Sequence, residues 1–192
     1  MGKSFPIEIE GTKERKRVCL LLNLAEIMKY AVVYKSLTGN TELLAEAVRS
    51  ELGDACVYFG EPDAKALDAD VIFLGFWTDK GTCEESLKSF LGALHGKRVE
   101  LFGTAGFGKD SSYYEKILEA VKAEVPKGNL VGAGYMCQGK MGQRVRKKYE
   151  EMLKEDPENR TAQMLIENFD QASSHPDDKD VENLVNWVKA CR

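Results

Sequence analysis

Apolar residues along this chain fall into two alternating patterns. Tyr30-Ala-Val-Val-Tyr34 is a continuous apolar run, the mark of a strand buried on both faces. Leu43, Leu44, Ala47, Val48 and Leu52 then recur at helical spacing, and Gly53 follows as a stop. Cys56-Val-Tyr-Phe59 reads as a second strand and Val71-Ile-Phe-Leu-Gly-Phe76 as a third. Leu87, Phe90, Leu91 and Leu94 make a helical stripe closed by Gly96. Val99-Glu-Leu-Phe102 is a fourth strand, and Tyr114, Ile117, Leu118 and Val121 mark a helix that ends before Pro126. Leu130 to Met136 reads as one fifth strand, and Val145, Tyr149, Met152 and Leu153 as a helix after it. Two more helical patterns follow, Ala162 to Phe169 and Val181, Leu184, Val185, Val188. Ser174-His-Pro-Asp177 has the S-x-x-D form of a capping box, which predicts the start of the last helix with proline in its first turn.

Repeated strand–helix units imply a doubly wound α/β fold, a five-stranded parallel sheet with helices on both faces. Such sheets take ligands at the carboxyl ends of their strands. No internal repeat or Pro/Gly/Ser linker interrupts the pattern, so residues 28–192, including the helices of 155–192, read as one domain. Residues 1–27 read as an extension of unknown role. Lys13 to Arg17 followed by Val18 to Leu22 imitates a signal peptide, but the apolar run is short, Asn23 interrupts it, and Glu8, Glu10 and Glu14 spoil the basic region. A start of translation at Met28 is a second reading.

Composition narrows the class. A chain of 192 residues, 43% hydrophobic, can bury one sizeable core. Its five cysteines are odd in number and form no C-x-x-C pair, which argues against a disulfide framework or zinc site and for a reducing, cytoplasmic setting. The net charge of −4 argues against non-specific nucleic-acid binding. No apolar run approaches the roughly 20 residues of a membrane helix. His95 and His175 read as structural neighbours of helix ends.

The chemistry concentrates in loops. Tyr34-Lys-Ser-Leu-Thr-Gly-Asn-Thr41 leaves the first strand and enters the first helix. A helix N-terminus offers unpaired N–H groups and a partial positive charge. Ser36, Thr38, Asn40 and Thr41 add hydrogen-bonding side chains, and Gly39 lets the backbone approach an anion. No lysine stands where a nucleotide triphosphatase needs one, so neutral groups here suit a phosphate monoester. The bland alternative is an ordinary capped helix. After the third strand comes Trp77-Thr-Asp-Lys-Gly-Thr-Cys83, and after the fourth Thr104-Ala-Gly-Phe-Gly-Lys-Asp-Ser-Ser-Tyr-Tyr114. Two aromatic loops beside one phosphate site suggest a flat ring held between them.

From Met28 to about Met152 the chain resembles the flavodoxins, small FMN-binding electron carriers. Ser36, Thr38, Gly39 and Thr41 match the family's [ST]-x-T-G-x-T loop. The resemblance implies strand order 2-1-3-4-5 and, because the fifth strand lacks a long insertion, the short-chain type. It places the FMN phosphate on Ser36, Leu37, Thr38, Gly39, Asn40 and Thr41. It sets Trp77 against one flavin face, and Phe107, Tyr113 or Tyr114 against the other, from a loop that also holds Thr104, Ala105, Gly106 and Gly108. Thr78, Asp79, Lys80, Gly81 and Thr82 would run past the flavin N5 edge, with Gly81 free to turn its peptide. Residues 155–192 extend past the usual flavodoxin end.

The sequence also departs from that family. Residues 28–192 are only mildly acidic, and Lys80 and Lys109 stand in the two flavin loops. A lysine beside the ring would stabilise the anionic reduced flavin; an exposed loop lysine ordinarily points to water. Cys137 to Lys148 carries five cations in nine residues, either a docking surface for an acidic partner or dinucleotide phosphate, or a solvated helix face. Cys83 and Cys137 could be reactive, but small apolar packing is the default.

Three functions fit. The first is a one-electron carrier, monomeric, shuttling between a reductase and an acceptor enzyme. Resemblance to flavodoxin-like proteins of anaerobic bacteria suggests a flavoprotein reductase as that acceptor. The second is an FMN-dependent NAD(P)H oxidoreductase, quinone-reductase-like, although no dedicated nicotinamide loop is visible. The third is a flavin-free binding module.

Overall fold

The computed structural model describes residues 28–108 and 111–192. The extension at 1–27 and Lys109 therefore lie outside the described residues. The strands are β1 (Tyr30–Tyr34), β2 (Cys56–Gly60), β3 (Val71–Trp77), β4 (Arg98–Ala105), β5 (Leu130–Val131) and β6 (Tyr135–Gln138). The helices are α1 (Asn40–Leu52), α2 (Glu85–Gly92), α3 (Ser111–Lys122), α4 (Gln143–Glu155), α5 (Arg160–Ala172) and α6 (Asp178–Ala190). All strand pairs are parallel, in the order β2-β1-β3-β4-β5, with β6 also on β4. The expected 2-1-3-4-5 arrangement is the one observed.

Alternate residues of each strand feed two cores. Ala31, Val33, Ile72, Leu74, Val99 and Leu101 face one layer, packed against Leu87, Phe90 and Leu91 of α2 and Ile117, Leu118 and Val121 of α3. Tyr30, Val32, Phe73 and Phe102 face the other, packed against Leu44, Val48 and Leu52 of α1 and Leu184 and Val188 of α6. That period-two alternation lets one strand serve both faces. α4 and α5 pack on each other. Arg146 links them, paired with Glu150 on its own helix and Asp170 on α5, and its guanidinium lies over the Phe169 ring.

Two expectations are corrected. The single fifth strand of 130–136 is broken: β5 pairs with Arg98 and Val99, and β6 with Phe102 to Ala105. The chain takes four steps from Val131 to Tyr135 where β4 takes three from Val99 to Phe102. One extra residue must bulge, and Gly134 absorbs it at φ 90°. Gly132-Ala-Gly134 is small and weakly apolar, so it reads as strand although its backbone is not.

The cap of the last helix is also displaced. Its N-cap is Asp177, not Ser174, and the capping box closes with Asp180. The Asp177 carboxylate accepts from Asp180 N–H at 2.9 Å, and the Asp180 carboxylate accepts from Asp177 N–H at 3.0 Å. Pro176 precedes the helix in a cis peptide bond. His175 stands beside the cap, its Nδ1 2.6 Å from Asp180 Oδ2.

Candidate cofactor-binding site

At the carboxyl ends of β1, β3, β4 and β6 lies a cleft of about 300 Å³. Its lining combines Leu37, Thr38 and Asn40 after β1, Trp77 and Thr78 at the end of β3, Thr104, Gly106 and Phe107 from β4, and Gly139 to Gly142 with Val145 after β6.

The first wall is the hydroxyl-rich loop. Gly39 caps α1 at φ 85°, a left-handed conformation glycine adopts without strain, and no side chain caps the helix. The first N–H groups of α1 therefore point at the cleft without a side-chain acceptor, the arrangement that holds an anion. Ser36 Oγ accepts from Gly39 N–H at 3.1 Å and fixes the turn. Thr38 lines the cleft. Thr41 is fully buried, its hydroxyl 3.2 Å from that of Thr104, so it braces the loop from beneath. Asn40, 6% exposed, donates to the Lys140 carbonyl at 2.9 Å. Its own carbonyl oxygen is buried in the cleft wall without a partner among the described residues. A buried acceptor of that kind is costly unless a donor arrives.

Of the aromatic residues in the two loops, only some line the cleft. Trp77 and Phe107 line the cleft. Tyr113 packs against the core and meets the Phe107 ring edge-on, centroids 6.3 Å apart. Tyr114 turns away and donates to the Gly108 carbonyl at 3.1 Å; burial pushes its phenol pKa up. Ala105 is buried in the core. Neither tyrosine lines the cleft, because the amphipathic pattern of α3 draws both toward packed surfaces.

The 78–82 loop is tighter than expected. Thr78 Oγ1 donates to the Thr104 carbonyl at 3.0 Å, and Thr78 lines the cleft. Asp79 and Thr82 exchange both backbone hydrogen bonds, at 2.8 and 3.0 Å, across the two-residue turn Lys80–Gly81. Both turn residues have positive φ, 49° and 86°, the signature of a type I′ hairpin. Asp79, Lys80, Gly81 and Thr82 do not line the cleft, and Lys80 is exposed at the tip.

The fourth wall was missed in the sequence. Gly139, Lys140, Met141, Gly142 and Val145 line the cleft, although their stretch reads in sequence as a docking surface or a solvated helix face and not as part of the cofactor site. Lys140 N–H donates to the His175 carbonyl at 2.8 Å, so this loop is pinned between the turn joining α5 to α6 and Asn40. A second tie comes from α5. Asn168, 3% exposed, and Gln138 both donate to the Gly106 carbonyl, at 3.0 and 3.2 Å, beside Phe107. The only signal for Asn168 was a polar residue within a helical apolar pattern; Gln138, at the end of β6, had none. Cys83 and Cys137, both near strand ends, are buried; burial pushes the Cys83 thiol up to about 11 and raises that of Cys137 as well. Their thiols stay protonated at neutral pH.

These elements define an α/β protein that takes a flat ring carrying a phosphate group. A family model described as the flavodoxin domain matches residues 31–189, and this chain belongs to that family. Among curated relatives, it is similar to the flavodoxin-like domain-containing protein BilS of Clostridium symbiosum (strain WAL-14163), 41% identical, with 84% of this chain and 94% of that one covered. It is 34% identical to the BilS protein of Clostridioides difficile (strain CD3), over 84% of this chain and 95% of the relative. Among solved structures, a short-chain flavodoxin associated with a non-canonical PDU bacterial microcompartment shares the fold, with a TM-score of 0.53 at 20% identity, covering 84% of this chain and 95% of that one.

FMN is the cofactor that belongs with this family, and the residues present fit it. The uncapped α1 terminus suits its phosphate, the orphaned Asn40 carbonyl suits a hydroxyl of its ribityl chain, and the aromatic walls suit its ring.

Proposed function

We propose that this chain is a one-electron carrier that shuttles between a reductase and an acceptor enzyme, the acceptor being a flavoprotein reductase. The observation that carries this reading is the cleft lining. Among the described residues that form it, Lys140 is the one titratable side chain. Proton-transfer catalysis needs a positioned acid or base within hydrogen-bond reach. An electron carrier needs none; it needs a held ring with one accessible edge. The acceptor class rests on resemblance to flavodoxin-like proteins of anaerobic bacteria.

FMN, when bound, supplies the redox chemistry. The chain supplies the setting. Ser36, Thr38 and the first turn of α1 would hold the phosphate. Trp77 and Phe107, in the cleft lining, would shield the ring from water. Lys140, exposed in the cleft lining, would favour the reduced, anionic form of the ring where its ammonium stands beside it, and so raise the potential relative to a cleft without a cation.

A reductive titration of the FMN-loaded protein, followed by visible absorption, tests the reading. We expect two separated one-electron steps and no reduction by NADH or NADPH alone. A single two-electron step with direct reduction by a nicotinamide would replace the carrier with an FMN-dependent NAD(P)H oxidoreductase.

A further inference from the structure

The five cations of 140–148 do not act alike. Arg146 is structural, held by Glu150 and Asp170. Lys140 lies in the cleft lining. Arg144, Lys147 and Lys148 are exposed and have no ion-pair partner among the described residues. They stand at i, i+3 and i+4, and so share one face of α4. Val145, between them in sequence, lines the cleft, so this face begins at the cleft's edge. Charge is segregated along the helix. Four of its five cations fall in the first half, and Glu150, Glu151 and Glu155 lie in the second half with Lys154. At the cleft itself two apolar side chains reach into solvent, Leu37 at 70% exposed and Phe107 at 39%. An apolar centre with a charged border is the anatomy of a protein-docking surface.

We propose that Arg144, Lys147 and Lys148, with the apolar mouth formed by Leu37 and Phe107, form the docking surface for the acidic face of a redox partner protein. This rests on the electron-carrier reading. The sign runs against the whole molecule, whose net charge is −4. Surface fields of this kind act over about a Debye length, roughly 8–10 Å at physiological salt. A partner approaching the cleft therefore meets the α4 cations before it feels the average charge. Electrostatic complementarity there raises the rate of encounter and sets orientation.

The opposition of local and overall charge makes the test a matter of sign. FMN-loaded full-length protein is reduced with dithionite, freed of excess reductant and mixed with hexacyanoferrate(III), a trianion. Each hexacyanoferrate(III) takes one electron from the reduced flavin and becomes hexacyanoferrate(II); no atom is transferred. We expect this rate to fall as salt rises from about 10 mM to about 0.5 M, while the rate with the hexaammineruthenium(III) trication stays level or rises. The triple variant Arg144→Glu, Lys147→Glu, Lys148→Glu should lose about tenfold of the anion's low-salt rate and reverse its salt slope. Its FMN affinity should stay within about twofold, since none of the three lines the cleft.

A rate with hexacyanoferrate(III) that rises with salt in the unaltered protein overturns the proposal, because the overall negative charge then governs approach. So does a triple variant with an unchanged slope. If the variant instead weakens direct binding of NADPH and leaves the slope alone, this face binds a dinucleotide and not an acidic protein. Failure of FMN to bind removes the electron-carrier reading, and this proposal with it. A wrong salt slope on a flavin-loaded protein removes only this one.

Discussion

Trp77 and Lys80 stand three residues apart and have opposite fates. Trp77 lines the cleft. Lys80 turns out of it because the backbone reverses there, with φ 49° and 86° at Lys80 and Gly81. Aromatic contacts contribute about 0.5–1.5 kcal/mol beyond the area they bury. Trp77→Ala should therefore weaken FMN binding about tenfold, read by titration of flavin fluorescence; an unchanged affinity would remove Trp77 from the site. Lysine is poorly suited to the left-handed region, whereas Asn-Gly is the preferred pair in this turn. Lys80→Asn should raise stability by about 0.5 kcal/mol in urea unfolding, with FMN affinity unchanged. A loss of stability would mean that the hairpin is not closed as described. The sequence showed that an aromatic and a glycine share this loop. It did not show that the glycine pairs with the lysine before it, because that pairing rests on the two hydrogen bonds between Asp79 and Thr82.

At the next scale, each element's end decides what it can hold. α1 begins on Gly39 with no side-chain cap, and α6 begins on a reciprocal Asp177–Asp180 box. The first leaves its N–H groups for a ligand; the second satisfies its own. The Asp177 carboxyl is held below the usual aspartate range, first by the Asp180 N–H and also by His175 nearby. Its folded pKa is depressed, so its contribution to stability is present above the ordinary aspartate range and is lost as pH falls through the lowered value. Asp177→Ala should lower the urea midpoint at pH 7, and the gap to the unaltered protein should close as pH falls through that range. A gap that persists at low pH would assign the effect to packing. A polar residue preceding a helical pattern is visible in sequence, and Ser174 and Asp177 both qualify. The choice between them depends on where the chain turns into the sheet layer, which local pattern does not encode.

For the molecule as a whole, the site depends on a helix that contributes nothing to its lining. α5 sends Asn168 to the Gly106 carbonyl and so fixes the loop that presents Phe107. Asn168→Ala should lower stability by about 1–2 kcal/mol and weaken FMN binding several-fold, measured by urea unfolding and flavin titration. Lost stability with full FMN affinity would make α5 only a cover. The alternation of apolar runs by itself determined the layered sheet, because a strand buried on both faces and a helix buried on one leave different periods in the chain. The hydroxyl loop was legible for the same kind of reason: its residues are consecutive, and a helix N-terminus after a strand has one chemistry. Tertiary structure alone decided the fourth wall of the cleft. Lys140 and Met141 are about a hundred residues from the loop they face, and it is the bulge at Gly134, the Asn40 contact and the His175 carbonyl that bring them there. Local periodicity reports which face of an element is buried. Which distant segment covers it is set by how the layers close.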